Sequence, residues 1–530
     1  MPPWCHLREG SSDVLLIAPH GGIGSDDLLL GAGAISRRGN DLHTADLARS
    51  IGERLDASWL VNPTIDRNEL DLNRVKDVLA RAPWFVAAIE HLLGRILEAH
   101  PEAIVLVLHG WHVGQPRCDL GIGASLSGAE VDEGSAGSLT VGREFLAGPL
   151  ERFRRGLEQR GVIATYGERW PAAHVNNAMR FFRRRDAGCA SGALARWVGE
   201  GRVQAVQLEL GAPLRWPGAP RERLVEWTVE AFRHDGAAGG GDRALAAGEP
   251  YGLANDSSSA GARFVAETAT ALVLRAFDVR GGPDALAVVA GATRFPNGDV
   301  GTRLLLFPGG SRMAIFTGHG RGDSLAVPGF RFERTARGFR FRFDGHVLVV
   351  DDGALYFRDE SAQAAASLAP AHLDLTLRQV APDFGVVRGT VRLDGEERTI
   401  LAGGFVDAGR GIGRSQAGVR LSATLGPGRA LRVEIRASET GLETGDLEVV
   451  QLGRSGFEPM PAARARRDEE TGGLDLDLGD GRVLRACVRS RVALLRPAGR
   501  SAVHLTLGPA WIESDGETAG AAFYEEARLV

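Results

Sequence analysis

Apolar and polar positions follow two different rhythms along this chain, and the change falls near residue 240. Before it, short apolar runs alternate with stretches in which apolar residues recur every three or four positions. Residues 14–18, 58–62, 103–108, 162–166 and 203–210 read as strands, because each is a compact run rich in Val, Ile and Leu. Residues 44–55, 84–99, 146–160, 191–199 and 221–234 read as helices. In 84–99, Phe85, Ala88, Ile89, Leu92, Ile96 and Leu97 fall on one face. This alternation predicts an α/β domain, a mostly parallel sheet with helices on both faces.

Beyond residue 240 the helical spacing nearly vanishes. Residues 303–307, 312–317, 330–343, 346–350, 373–380, 386–393, 399–402, 419–424, 431–437, 447–452, 474–478 and 482–488 read as short strands. Turn pairs such as Asp394-Gly395 and Asp480-Gly481 separate them. Evenly spaced strands with Gly-rich turns predict an all-β barrel or sandwich. The Gly-rich stretch from Asp235 to Asp242 reads as a linker. The expected organisation is an α/β domain at 1–238, a linker at 239–261, and β-rich domains at 262–385 and 386–530.

Composition narrows the function classes. A chain of 530 residues is too long for one ordinary core. Its 62 basic and 67 acidic residues leave a net charge of −5, which argues against a nucleic-acid surface or a polybasic membrane anchor. No stretch reaches the ~18 consecutive apolar residues of a membrane span. Cys5, Cys118, Cys189 and Cys487 show no paired spacing, and residues 1–12 lack a signal-peptide pattern. A reducing, cytoplasmic location is the expectation.

Three strings carry the candidate chemistry: Ile17-Ala18-Pro19-His20-Gly21-Gly22, Leu106-Val107-Leu108-His109-Gly110 and Val206-Gln207-Leu208-Glu209-Leu210. Each delivers a His or Glu at the carboxyl end of a buried strand, where open α/β sheets place their ligands. Two imidazoles and a carboxylate suit a borderline cation, so His20 and His109 are candidate ligands of Zn²⁺ or another divalent metal. His112 competes with His109. The stretch Asp41-Leu42-His43-Thr44-Ala45-Asp46, with Asp26 and Asp27, offers carboxylates for the third position. Asp46 is favoured and Asp26 comes second, although acidic residues near a helix start are also common as caps. Glu209 is the candidate general base for a metal-activated water. Without a G-x-S-x-G elbow, the rival reading of Pro-His-Gly-Gly as an esterase oxyanion loop lacks its nucleophile.

A fourth string, Asp66-Arg67-Asn68-Glu69-Leu70-Asp71-Leu72-Asn73-Arg74, places guanidinium groups in the same half of the chain. Arg is the natural partner of a carboxylate, and one Arg can also stabilise an oxyanion. Arg67 is therefore a candidate catalytic residue, with Asp71, Asn73 and Arg74 as candidate substrate contacts. Arg184, in the run Arg183-Arg184-Arg185, is a further candidate for an anionic small-molecule substrate.

The order of Pro-His-Gly-Gly, His43-Thr44, Arg67, Asp71-Leu72-Asn73-Arg74, His109 and Gln207-Leu208-Glu209 resembles that of N-formylglutamate amidohydrolases, relatives of zinc carboxypeptidases, over residues 12–235. The resemblance implies a phosphorylase/hydrolase-like fold and a zinc-dependent hydrolase of N-acyl amino acids. It also implies that Asn73 and Arg74 hold the substrate carboxylate and that Glu209 is the base. The family usually has Pro-His-Ser-Gly, and Pro-His-Gly-Gly is also similar to phage poly-γ-glutamate hydrolases, so the amidohydrolase class is better supported than one substrate. The β-rich half, through Val386–Glu396 and Ala402–Asp407, resembles two-lobed lipocalin-like proteins, which implies a barrel able to hold an apolar ligand. The competing expectation is a non-catalytic binding protein whose β-rich half takes that ligand while the α/β half is a degenerate hydrolase.

Overall fold

The computed structural model describes residues 2–24, 39–184 (apart from 125, 128–129 and 132–138), 192–233 and 271–408 (apart from 280, 283, 323 and 382). From 418 onward it describes 418–425, 430–438, 441–452, 457–460, 463–467, 474–479, 483–488, 492–498, 501–514 and 517–529. These residues fall into two compact units, one holding 2–24 and 39–233, the other 271–529.

The first unit is built on a seven-stranded sheet. Its strands are β1 (His6–Arg8), β2 (Val14–Ala18), β3 (Ser58–Val61), β4 (Ala103–Trp111), β5 (Arg117–Gly121), β8 (Ile163–Thr165) and β9 (Val203–Gly211), with a small ribbon of β6 (Leu126–Ser127) and β7 (Glu130–Val131) apart. The order is β1-β3-β2-β4-β9-β5-β8. The four central strands β3, β2, β4 and β9 run parallel; β1 is antiparallel to β3, and β5 to β9. The expected mostly parallel sheet is thus present, with antiparallel margins. Every residue of β2, and seven of the nine in β4, are buried, because helices cover both faces.

The helices are α1 (Thr44–Leu55), α2 (Val75–Arg81), α3 (Pro83–Ala99), α4 (Arg143–Phe145), α5 (Glu151–Gln159), α6 (Gly192–Gly199) and α7 (Ala219–Phe232). Two cores result. One gathers Leu16, Ala48, Ile51, Leu106, Phe153 and Trp227, the other Leu15, Phe85, Ile89, Leu92 and Val107. Adjacent strand residues such as Leu15 and Leu16 point to opposite faces, as a pleated strand requires. The helix expected over 146–160 begins with a widened turn at Leu146–Leu150 containing Pro149, which cannot donate a backbone hydrogen bond.

In the second unit, β10 (Ala271–Asp278), β11 (Ala287–Arg294), β12 (Asp299–Gly309), β13 (Arg312–Arg321), β14 (Phe330–Thr335), β15 (Gly338–Val350), β16 (Ser367–Ala381), β17 (Phe384–Leu393) and β18 (Glu396–Ala408) form one antiparallel sheet. β18 pairs with β10 and β13 pairs with β15, so eight strands close into a barrel with β14 beside β15. Phe316, Phe330, Phe332, Phe341 and Phe343 meet inside it, with ring centroids 4.8–6.2 Å apart. The stretch 330–343 contains a hairpin turn at 336–337 rather than one strand. A second, ten-stranded sheet follows, in which Gly418–Thr424 pairs with Glu517–Leu529.

The boundary expected between 385 and 386 is corrected by this pairing. β17 and β18 belong to the first barrel, and the sheet changes between Ala408 and Gly418. Among the described residues, no helix is long and apolar enough to cross a membrane.

Candidate metal centre

The site forms at the carboxyl ends of β2, β4 and β9. His20 lies two residues past β2, in a turn held by Asn62, whose side-chain amide donates to Pro19 O at 2.9 Å. The two glycines that follow have no room for a side chain. A Cβ on Gly21 would lie 2.5 Å from the Ala45 Cβ, and one on Gly22 would lie 2.5 Å from Ile65 O. The Gly-Gly pair therefore lets the turn press against α1 and the 62–65 loop. In the β4–β9 pairing, His109 stands opposite Glu209.

Asp41 joins the histidines. Its backbone N–H donates to His20 O at 2.8 Å, and its C=O accepts from Thr44 Oγ1 at 2.7 Å. Its Oδ2 lies 3.2 Å from His20 Nδ1 and 2.8 Å from His109 Nδ1. All three side chains are buried, and their potential ligand atoms lie within 4.8 Å of one another. Ligands at 2.0–2.2 Å around a tetrahedral cation stand about 3.4 Å apart, so this donor set fits one divalent ion. Two imidazoles with a carboxylate match the hard–soft balance of zinc. Burial pushes the Asp41 carboxyl up, but the contacts with His109 and His20 outweigh it and hold the group well below the usual carboxylate range.

The surrounding groups orient this trio. His20 Nε2 lies 2.7 Å from Asp71 Oδ1, which leaves Nδ1 facing the shared centre. Imidazole ligands are commonly fixed by such a carboxylate. Burial raises the Asp71 carboxyl less than His20 and Arg67 lower it, and it settles at about 2. Arg67 Nη1 approaches Asp41 Oδ1 at 3.4 Å, and Arg74 Nε approaches Asp71 Oδ2 at 3.3 Å. Gln207 Nε2 donates to Glu209 Oε1 at 2.9 Å, and Asn177 Nδ2 donates to Gln207 Oε1 at 3.1 Å. Burial is the main reason that Glu209 is pushed up to about 7. Arg215, wholly buried, donates to Leu42 O at 2.5 Å and Leu210 O at 3.0 Å, tying the neighbours of Asp41 and Glu209 together. Its guanidinium would meet a Cβ on Gly110 at 2.5 Å, which accounts for glycine after His109.

His20, His109, Glu209, Arg67 and Arg74 lie near one another at the carboxyl ends of these strands, and His112 is exposed and outside the trio. Asn73 sits beside them, with its N–H donating to Asp71 Oδ1 at 3.0 Å. Three assignments change. Asp46 is replaced by Asp41 as the third donor, because Asp46 projects from the outer face of α1 and pairs with Arg49 at 3.1 Å. Asp71 faces His20 rather than an anionic substrate, which a carboxylate would repel. Arg184 lies against Gly142 and Gly201, at the start of β9, whereas Glu209 lies six residues on, about 20 Å along an extended strand. Asp26 lies outside the described residues. Sequence reasoning passed over Gln207, Asn177 and Arg215. For Gln207 a signal existed, since a polar residue two positions before Glu209 shares its side of the strand.

No protein-family model and no curated protein matches this sequence. Among solved structures, the chain is similar to N-formylglutamate amidohydrolase from Ralstonia eutropha, with 14% identity, 43% of this chain and 95% of that one covered, and a TM-score of 0.29. It is also similar to kievitone hydratase from Nectria haematococca, with 9% identity, 49% and 89% coverage, and a TM-score of 0.29.

Proposed function

We propose that the first unit is a metal-dependent hydrolase that cleaves the C–N amide bond of a small carboxylate-bearing substrate, an N-acyl amino acid. The observation that carries this reading is the buried convergence of His20, Asp41 and His109 beside a carboxylate held in register with His109. His20, Asp41 and His109 would hold a divalent cation, which would supply Lewis acidity and lower the pKa of a water towards neutrality. Glu209 Oε1 is occupied by the Gln207 amide, so Oε2 is the atom that takes a proton from the attacking water and returns it to the leaving amine. Arg67 offers positive charge to the developing oxyanion, and the half-exposed Arg74, with Asn73, is placed to hold the substrate carboxylate.

The test pairs metal analysis with turnover of N-formyl and N-acetyl amino acids. Wild-type protein is expected to hold about one zinc per chain. Glu209→Gln should keep that zinc and lose about 10²- to 10⁴-fold in turnover. Wild-type protein that takes up no metal on reconstitution would overturn the reading.

A further inference from the structure

Two tryptophans stand beside the row of side chains that holds Glu209, and one of them is held out in water. His109 on β4, Glu209 on β9 and Asp119 on β5 are register partners, so their side chains share one face of the sheet. Trp111 lies two residues past His109, and Arg117 two residues before Asp119 on the antiparallel β5. Both therefore point to that same face, about 7 Å beyond the row at the carboxyl end of β4. The Arg117 guanidinium lies 5.1 Å from the centre of the Trp111 ring. Trp170 meets Trp111 at an interplanar angle of 88°, with ring centroids 6.5 Å apart. Arg169 approaches the Trp170 ring at 5.8 Å, and Trp170 still remains 42% exposed.

The loop that carries Trp170 is fixed from below. The wholly buried Asp119 carboxylate accepts from Thr165 Oγ1 at 2.8 Å and from the backbone N–H groups of Glu168, Arg169 and Trp170 at 3.0, 2.8 and 2.7 Å. Arg117 donates to Glu168, and Gly123 N donates to Pro171 O at 2.8 Å. A Cβ on Gly121 would lie 2.7 Å from Trp170 O, and Gly121 is the register partner of Gln207. The Trp170 backbone therefore lies over the face that carries Gln207 and Glu209. Two residues on, the buried Ala172 has φ near +58°, a left-handed conformation that favours glycine. An indole left this exposed adds little burial to the fold, yet the loop that presents it is rigid. That combination suits a surface prepared in advance for a ligand.

We infer that Trp111 and Trp170 form a subsite for an aromatic N-acyl group, which rests on the hydrolase reading above and narrows its substrate to an N-aroyl amino acid. Two rings at right angles make a corner in which a third ring stacks on one indole and meets the edge of the other. The sheet order assigns this corner to the acyl side of the scissile amide. Arg74 and Asn73 are tied to Asp71, which contacts His20 beyond β2, whereas the tryptophan corner lies at the end of β4 and over β5. In the order β2-β4-β9-β5 these are opposite flanks of Glu209. A substrate whose carboxylate is held on the first flank extends its acyl group towards the second.

Calorimetric titration of Glu209→Gln protein, supplied with zinc, with N-benzoylglycine and with N-acetylglycine tests this. Glycine has no side chain, so the two ligands differ only in the acyl group, and the substitution keeps them intact during the measurement. N-benzoylglycine should bind about tenfold more tightly. Adding Trp170→Ala should reduce that preference to about twofold or less, and Trp170→Phe should keep most of it. Equal binding of the two ligands, or a preference that survives Trp170→Ala, would overturn the subsite. So would loss of N-formylphenylalanine binding in Trp170→Ala with N-benzoylglycine unaffected, which would give the corner to the amino-acid side chain. Turnover by the wild type separates the two readings. Hydrolysis of N-acetylglycine without a benzoyl preference in binding overturns the subsite and leaves the hydrolase standing. Trp170-dependent binding of N-benzoylglycine with no amide hydrolysed supports the subsite and counts against the hydrolase.

Discussion

Both units bury charged side chains, and they do so to different ends. In the β-rich unit, Arg275 on β10 donates to Asp407 at 2.6 Å and to Glu525 at 2.9 Å, while Arg420 donates to Asp407 at 2.7 Å and to Glu434 at 2.8 Å. Each carboxylate in that chain faces a guanidinium, and the network joins the barrel to the second sheet. In the α/β unit, Asp41 faces two imidazoles, His109 Nε2 is buried with no hydrogen-bond partner, and Glu209 is pushed towards neutrality rather than paired with a cation. Paired charges hold elements in register, whereas a cluster of donors around one point is arranged for something not of the chain.

The comparison breaks most clearly at Asp41. Replacing it with Ala should lower zinc affinity by more than about 100-fold, measured by competition with a chelating dye, because one of three protein ligands is gone. At Asp407 the same kind of deletion should act on stability instead. Asp407→Asn leaves Arg275 and Arg420 short of an anion and should cost about 3–5 kcal/mol, seen as lost amide protection in β10 and β18 by hydrogen exchange.

Acid sharpens the contrast. Burial raises the Asp407 carboxyl, but Arg275 and Arg420 outweigh it and hold it at about 2, below its ordinary 3.8. A depressed carboxylate stabilises the fold above its unfolded pKa, and the contribution is lost as pH falls through the folded one. Protection of β10 and β18 should therefore be level above about pH 4.5 and decline towards pH 2, by about 2 kcal/mol, and the decline should shrink in Asp407→Asn. The smallest effect belongs to Asp46. Asp46→Asn should leave zinc content unchanged and stability within about 0.5 kcal/mol, since it removes one exposed ion pair.

Asp46 also shows which part of the site helical periodicity reveals and which part it does not. The apolar positions Leu47, Ala48, Ile51 and Leu55 already define the inner face of α1, and Asp46 shares the other face with Arg49 and Glu53. Asp41 sits before that helix, where no period operates, and only the backbone contacts to His20 and Thr44 bring it inward. His20, His109 and Glu209 were legible because buried strands have ends, and a polar residue at such an end stands out. β5 was not, because Arg117, Cys118 and Asp119 are buried through specific partners and leave no apolar pattern. β10 was missed for the opposite reason. All eight of its residues are buried, so the alternation expected of a one-sided strand is absent. The barrel boundary followed from the same blindness, since the pairing of β10 with β18 spans more than 120 residues and is invisible to local spacing.

That pairing of first strand with last recurs in the second sheet, where Gly418–Thr424 lies against Glu517–Leu529. Its consequence concerns time. On the ribosome, neither β-lobe can close until its final strand has emerged, and loop closure over such separations is slow. The α/β unit draws its sheet from the first 211 residues and is complete long before. During synthesis, then, His20, Asp41 and His109 are brought together while the β-rich half is still a string of open edges, and it is this half that needs protection from aggregation.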